Sequence, residues 1–195
     1  MEADFQTLSL ARKDDLVQPE QGLTNVLRCF DTEARRNGAQ LERFANLSEA
    51  TEWLINQAAR LDTKPQLHLS PALKAANLDW NPLAPTDQTP EANHSWGLVK
   101  AHTAIAETGT ILSLSTECPS SLLFLAERLI VIIDSTDVVA YQEDAWQRID
   151  WAKPLPRTVN LVTGPSRTAD IEQQIQIGAH GPKRTDYLIL RESGQ

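Results

Sequence analysis

The chain has 195 residues, of which 41% are hydrophobic and 23% are charged, as is usual for a soluble domain with one buried core. Eighteen basic residues against 26 acidic ones give a formal net charge of −8, which argues against nucleic acid or an anionic membrane as the main partner. With only Cys29 and Cys118, the composition also excludes a zinc ribbon, a disulfide scaffold, and a disordered or collagen-like chain.

The chain is expected to begin with a flexible N-terminal arm over residues 1–20, since this stretch has little apolar periodicity. A single domain is then predicted over residues 21–195. The start of the sequence lacks the pattern of a signal peptide, and the apolar runs are far shorter than a membrane span. A reducing cytoplasm is therefore the expected location.

Apolar periodicity predicts alternating helices and strands along the domain. In chain order they are a helix over 23–37, a strand over 40–44, a helix after Asn46, a strand over 66–69, a short helix from Pro71, an irregular connection over 79–96, strands over 97–101, 110–114 and 128–134, a helix over 140–149, a strand over 158–162, a helix over 168–177 and a strand over 187–190. The strands over 128–134 and 158–162 are apolar without alternation, which is typical of a sheet covered on both faces. This alternation predicts an α/β fold with a largely parallel sheet.

The first motif is TGPSRTADIE, over residues 163–172, between an apolar strand and a predicted helix. Gly164 permits a sharp turn after the strand, and Ser166 or Thr168 can cap the helix. Backbone amides at a helix N-terminus favour anions, and Arg167 adds a forked donor suited to carboxylate or phosphate. The alternative is a well-capped helix with an arginine on the surface.

The second motif is AIAETGT, over residues 104–110. Its carboxylate, Glu107, is flanked by small or apolar residues and could act as a general base or as a nucleophile. The alternative is a turn in which Glu107 accepts backbone hydrogen bonds and Gly109 supplies a positive φ.

The third motif is GAHGPK, over residues 178–183. Two glycines and a proline place His180 on a rigid turn, where it could serve as an acid–base group or as a donor to a ligand. The alternative is a residue at a helix C-terminus that interacts with the helix dipole. The four histidines are scattered without metal-ligand spacing, so no metal site is predicted.

These three motifs, in their order and spacing, resemble the LUD domain of the lactate utilisation protein C (LutC/YkgG) family. The resemblance is strong over residues 97–191 and weaker over 22–70. The sequence departs from the family in the segment before Ala104 and over residues 120–128. The resemblance implies a three-layer α/β/α arrangement like that of the NagB/RpiA/CoA-transferase group.

The resemblance also implies an accessory role in a system that oxidises L-lactate to pyruvate. In that system the partner subunits carry iron–sulfur clusters, and this chain lacks the cysteines to hold one, so no cofactor is expected in it. A small anionic ligand is expected in a pocket that joins the three motifs, at Thr108, Gly109, Thr110, Gly164, Ser166, Arg167, Thr168 and His180. The alternative is a stand-alone enzyme of the CoA-transferase or sugar-phosphate isomerase type that uses Glu107. The resemblance leaves open whether the chain is an enzyme.

Overall fold

The computed structural model describes residues 22–91, 94–169, 175–177 and 181–191, so the predicted arm lies outside the described residues. The helices are α1 (Leu23–Arg36), α2 (Leu47–Ala58), α3 (Pro71–Lys74), α4 (Ser120–Phe124) and α5 (Gln142–Gln147). The strands are β1 (Gln40–Phe44), β2 (Gln66–Leu69), β3 (Ser95–Lys100), β4 (Thr103–Ile105), β5 (Thr110–Leu114), β6 (Arg128–Asp134), β7 (Val138–Val139), β8 (Val159–Val162), β9 (Arg167–Ala169), β10 (Ile175–Ile177) and β11 (Arg184–Leu190). In this part of the chain no helix has the length and apolar character needed to cross a bilayer.

The central sheet contains five strands in the order β1-β11-β6-β3-β2, and every neighbouring pair is parallel. Strand β6 lies in the middle, and its residues from Arg128 to Ile133 are all buried. That burial explains the unbroken apolar run in the sequence, because both faces of the strand are covered. The predicted α/β fold with a largely parallel sheet is confirmed.

Each face of the central sheet is covered by a separate layer. On one face Leu54 of α2 packs with Ile130 and Leu188 of the sheet. On the other face Phe30 of α1 packs with Val131 and Tyr187, and the Phe30 and Tyr187 ring centroids are 5.6 Å apart. The helical periodicity that predicted α1 and α2 therefore marks the two helices that sandwich the sheet.

A second sheet lies on the α1 side, in the order β7-β4-β5-β8. Its strand β4 was not predicted, since three residues are too few to show a periodicity. Strand β8 was predicted to be a buried strand; the strand is present, but the prediction of burial is wrong, since only Val162 of its four residues is buried. Among the described strands β8 pairs with β5 alone, at the edge of the second sheet, and Leu161 is 42% exposed.

The predicted helix over 168–177 is also wrong in the residues that the structure describes. Strands β9 and β10 pair antiparallel there, with Arg167 opposite Ile177 and Ala169 opposite Ile175. β-branched Ile175 and Ile177 alternate with a glutamine, a pattern of period two that favours a strand. Residues 170–174 lie outside the described part of the chain.

A buried ion pair joins the amino ends of β6 and β11. The Arg128 guanidinium donates to both carboxylate oxygens of Asp186, at 2.8 and 3.1 Å, and Asp186 is 1% exposed. The guanidinium also lies 4.4 Å from the ring centroid of Trp96. This two-point pairing satisfies a charge that would otherwise be costly to bury.

Candidate functional site

The turn of the second motif connects β4 to β5 and lies directly against α1. At Gly109 the backbone has a φ of +63°, and an added Cβ atom would stand 2.3 Å from the backbone nitrogen of Ala34. The side-chain amide of Asn37 donates to the carbonyl of Thr108 at 2.9 Å. Only glycine allows this approach, so the glycine of the motif sets the distance between the turn and the helix.

The turn of the first motif meets the same end of α1. At Gly164 φ is +67°, and an added Cβ atom would stand 2.5 Å from the carbonyl oxygen of Asn37. The N–H of Gly164 donates to the Tyr187 hydroxyl, which in turn donates to the carbonyl of Val162; both distances are 3.2 Å. The central sheet thus holds this turn through one buried tyrosine.

The two motifs also touch each other. The hydroxyls of Thr110 and Thr163 are 2.7 Å apart. Ser166 links the first motif to the third, because its N–H donates to the carbonyl of Pro182 at 2.9 Å and its side chain faces Gly181. No helix begins at Ser166, so the amides of a helix N-terminus, which the sequence offered for anion binding, are not supplied there.

The Arg167 guanidinium lies against Gly38, the residue just beyond the end of α1. An added Cβ atom on Gly38 would stand 2.1 Å from a terminal nitrogen of Arg167, so the absent side chain makes room for the guanidinium. Arg167 is exposed, and no carboxylate of the described residues forms an ion pair with it. It therefore brings a positive charge, with no ion-pair partner among the described residues, beside the two glycine turns.

Glu107 is half-buried and turned toward the start of α5, where it accepts a hydrogen bond from the N–H of Gln142 at 2.8 Å. The thiol of Cys29, in α1, donates to the Ala106 carbonyl at 3.5 Å. Burial, followed by the nearby carboxylates of Glu33 and Glu107, raises the pKa of this thiol. Glu107 thus has a structural task at the helix start, in keeping with the turn that the sequence offered as the alternative.

Six of the predicted ligand-binding residues lie on the two turns that meet at the end of α1 or on the first residue of the strand that follows each turn: Thr108, Gly109, Thr110, Gly164, Ser166 and Arg167. Thr168 lies in β9. His180 lies outside the described residues, so the structure does not show whether it joins them. Within the described residues no three histidine, cysteine or carboxylate side chains are placed to hold a metal ion.

A cavity that the sequence analysis missed lies at the carboxyl end of the central sheet. It has a volume of about 370 Å³ and is lined by Ser70, Ala72, Lys100, Ala101, His102, Glu117 and Asp137. Ligands of open α/β sheets bind at this end of the strands. The sequence held one indication of this cavity, because three of its lining residues, Lys100, Ala101 and His102, lie in the segment that departs from the LUD pattern.

Together these observations define an α/β protein with a parallel central sheet. Two turns at the second sheet, at Gly109 and Gly164, pack against the C-terminal end of α1. The chain belongs to the LUD domain family, which it matches over residues 27–190. The resemblance inferred from the three motifs is confirmed.

Among curated proteins, lactate utilization protein C of Geobacillus thermodenitrificans is 30% identical over 101 residues, which are 49% of this chain and 42% of that protein. The uncharacterized protein YkgG of Escherichia coli is 29% identical over 119 residues, 58% of this chain and 52% of that protein. The chain spans about half the length of the curated relatives it matches.

Among solved structures, a DUF162 family protein from Deinococcus radiodurans superposes with a TM-score of 0.63 at 16% identity. The superposition covers 88% of this chain and 99% of that protein. A likeness at this level of identity shows a shared fold.

Proposed function

We propose that this chain is an accessory subunit of an L-lactate utilisation system that oxidises lactate to pyruvate. The observation that carries the proposal is its membership of the LUD domain family together with relatives named lactate utilization protein C. In this proposal iron–sulfur clusters on partner subunits carry out electron transfer, and this chain contributes a binding surface and no cofactor.

The proposed binding surface is an anion site beside Arg167, for a ligand with a carboxylate or phosphate group. The guanidinium next to Gly38, which forms no ion pair with the residues that the structure describes, supports it, since a planar, always-charged donor suits both groups. The threonines and glycines of the two turns supply the surrounding polar groups. Because no helix begins at Ser166, the proposed site depends on the charge of Arg167 more heavily than the sequence indicated.

Co-purification tests the accessory role. The tagged full chain, expressed from its own locus in cells grown on L-lactate, should retain subunits that contain iron and acid-labile sulfide. Deletion of the gene should slow growth on L-lactate and leave growth on glucose unchanged. A chain that retains no such subunit, and whose deletion leaves growth on lactate unaltered, contradicts the proposal.

Calorimetry with L-lactate, pyruvate and inorganic phosphate tests the anion site. Arg167→Ala is expected to weaken the binding of the tightest of these ligands by about 1.5–3 kcal/mol, as for a charge-assisted hydrogen bond. Arg157→Ala is the matched control, because it removes one equally charged, exposed arginine on another loop. Equal affinities of the two variants would place the anion away from Arg167.

A second candidate function keeps Glu107 as the catalytic group of a stand-alone acyl transferase or isomerase. It is supported by the half-burial of this carboxylate. Incubation with CoA thioesters followed by hydroxylamine or borohydride should then modify Glu107. The absence of an adduct, with full activity in Glu107→Gln, rejects this candidate.

A further inference from the structure

Strand β8 forms an edge of the second sheet, and its outer side is open among the residues that the structure describes. The Ser115 N–H donates to the Thr158 carbonyl at 3.0 Å, so the backbone groups of Thr158 point toward β5. Backbone groups of successive strand residues point to opposite sides, so Val159 and Leu161 direct their N–H and C=O groups away from β5. No described residue bonds to these four groups. An edge of this kind is a template on which another strand can form hydrogen bonds.

The other edges of the two larger sheets are protected, and this one is not. Strand β7 has only two residues, both buried. Strand β1 exposes the charges of Glu42 and Arg43. The outer side of β2 is occupied, because the Leu67 carbonyl accepts the Thr86 N–H at 2.9 Å. From residue 158 to 163, by contrast, the sequence contains no charge and no proline, two of the devices that keep edge strands from pairing.

The face of β8 that is turned toward α5 is apolar and incompletely covered. Leu161 pairs in register with the buried Leu112, so its side chain lies on this face, yet it is 42% exposed. Val159 is half-buried on the same face. There Trp146 of α5 stacks on Trp151, which is 55% exposed, with the ring centroids 6.5 Å apart. A strand added at this edge would cover apolar side chains as well as bond the free backbone groups.

We propose that β8 pairs antiparallel with β8 of a second copy of this chain, which joins the two four-stranded sheets across a twofold axis. With the axis at Asn160, Val159 of each copy lies opposite Leu161 of the other. These are the residues whose backbone groups point outward, so the two pairs form four hydrogen bonds. The apolar side chains of each pair then contact one another on the face turned toward α5.

The charge of the strand favours a second copy as the occupant. The full chain has a net charge of −8, so two copies repel each other wherever their acidic surfaces meet. Residues 158–163 are uncharged, so two copies can pair here without placing like charges opposite each other in the ladder. The strand also complements itself about Asn160, because the residues on either side of it are both apolar.

Sedimentation velocity of the full chain, from about 1 to about 500 μM, tests the proposal. We expect a reversible dimer with a dissociation constant of about 10–100 μM, because the contact is small. Its affinity should rise between about 20 and 300 mM NaCl, since salt screens the repulsion between two acidic chains. A chain that stays monomeric at about 500 μM leaves the edge to a strand of a different protein and overturns the proposal. A dimer whose affinity falls with salt rests on ion pairs elsewhere and overturns it as well.

A charge placed on the edge tests which surface pairs. Leu161→Lys should weaken dimerisation at least about tenfold, because it adds one charge from each copy beside the new ladder and removes an apolar contact. Leu61→Lys is the matched control, since Leu61 is 47% exposed but follows α2, outside the second sheet. Equal affinities of the two variants overturn the assignment of the contact to β8.

Hydrogen exchange of the ¹⁵N-labelled full chain, followed by NMR, locates the contact without any substitution. The amides of Val159 and Leu161 should exchange at least about twofold more slowly at about 500 μM than at about 50 μM, because pairing protects them. The amide of Asn160 faces β5 in both states and should not change. A dimer in which Val159 and Leu161 gain no protection overturns the proposal. This measurement decides the matter if a variant fails to fold.

Discussion

Replacing Gly109 with alanine is expected to destabilise the protein strongly, because the new Cβ atom would collide with the backbone of α1. That atom would lie 2.3 Å from the nitrogen and 2.6 Å from the Cα of Ala34, and 2.6 Å from the carbonyl carbon of Glu33. A left-handed conformation costs a residue other than glycine about 1–2 kcal/mol. Overpacking costs about 1–3 kcal/mol more, so the free energy of unfolding should fall by about 2–5 kcal/mol.

Urea unfolding of the full chain, followed by circular dichroism, measures this loss. Gly22→Ala is the matched control, since Gly22 also has a positive φ, of +115°, but an added Cβ atom there meets nothing within 4 Å. The control should show the conformational cost alone, about 1–3 kcal/mol, with no added cost of overpacking. If the two variants lose the same stability, the Gly109 turn does not lie against the backbone of α1, and the convergence of the motif turns on this helix is wrong.

Three further predictions concern buried groups. Burial raises the pKa of Tyr187 to about 12, against about 10 when unfolded, so wild-type stability should fall as pH rises from about 10 to about 12. Tyr187→Phe should lower the free energy of unfolding by about 1–3 kcal/mol near pH 8, because it removes the hydroxyl that bonds the Gly164 N–H and the Val162 carbonyl. This difference from wild type should narrow above pH 10 in denaturation curves, and a constant difference contradicts the assignment. Burial also raises the pKa of the Cys118 thiol to about 11. Iodoacetamide should therefore alkylate Cys118 at pH 8 about 100-fold more slowly than a thiol with the ordinary pKa. Equal alkylation rates, measured by mass spectrometry, would refute this. Asp186→Asn should lower the free energy of unfolding by about 3–5 kcal/mol, because it leaves Arg128 buried without its counter-charge. Lys183→Ala breaks an exposed pair and should lower it by less than about 1 kcal/mol. Thermal denaturation compares the two variants.

Elements with strong local patterns could be predicted from the sequence. The first helix is an example, with apolar spacing from Leu23 and a glycine just beyond its end. The Asn46 cap is another, since its side chain accepts from the N–H of Glu49 at 3.0 Å. In both cases the information lies within four or five neighbouring residues, which is the range over which a helix forms its own hydrogen bonds.

Where local patterns conflict, tertiary contacts decided the outcome. Residues 168–177 carry helical spacing at Ile171 and Ile175 as well as the period-two pattern at Ile175 and Ile177. The structure pairs β9 with β10, because neighbouring strands can supply each other's backbone hydrogen bonds. Strand β8 likewise has a plainly apolar sequence, yet its place at the edge of a second sheet depends on β5 and not on its own residues.

The sequence by itself determined the α/β class, the order of the central strands along the chain, and the motifs whose glycines permit sharp turns. Only the tertiary structure decided that Gly109 and Gly164 both approach the end of α1, that Arg167 lies beside Gly38, and that Ser70 and His102 line one cavity. The physical reason is that periodicity reports which side of an element is buried. Which distant element buries it follows from packing among residues many positions apart, and that information is not present in any local stretch of the chain.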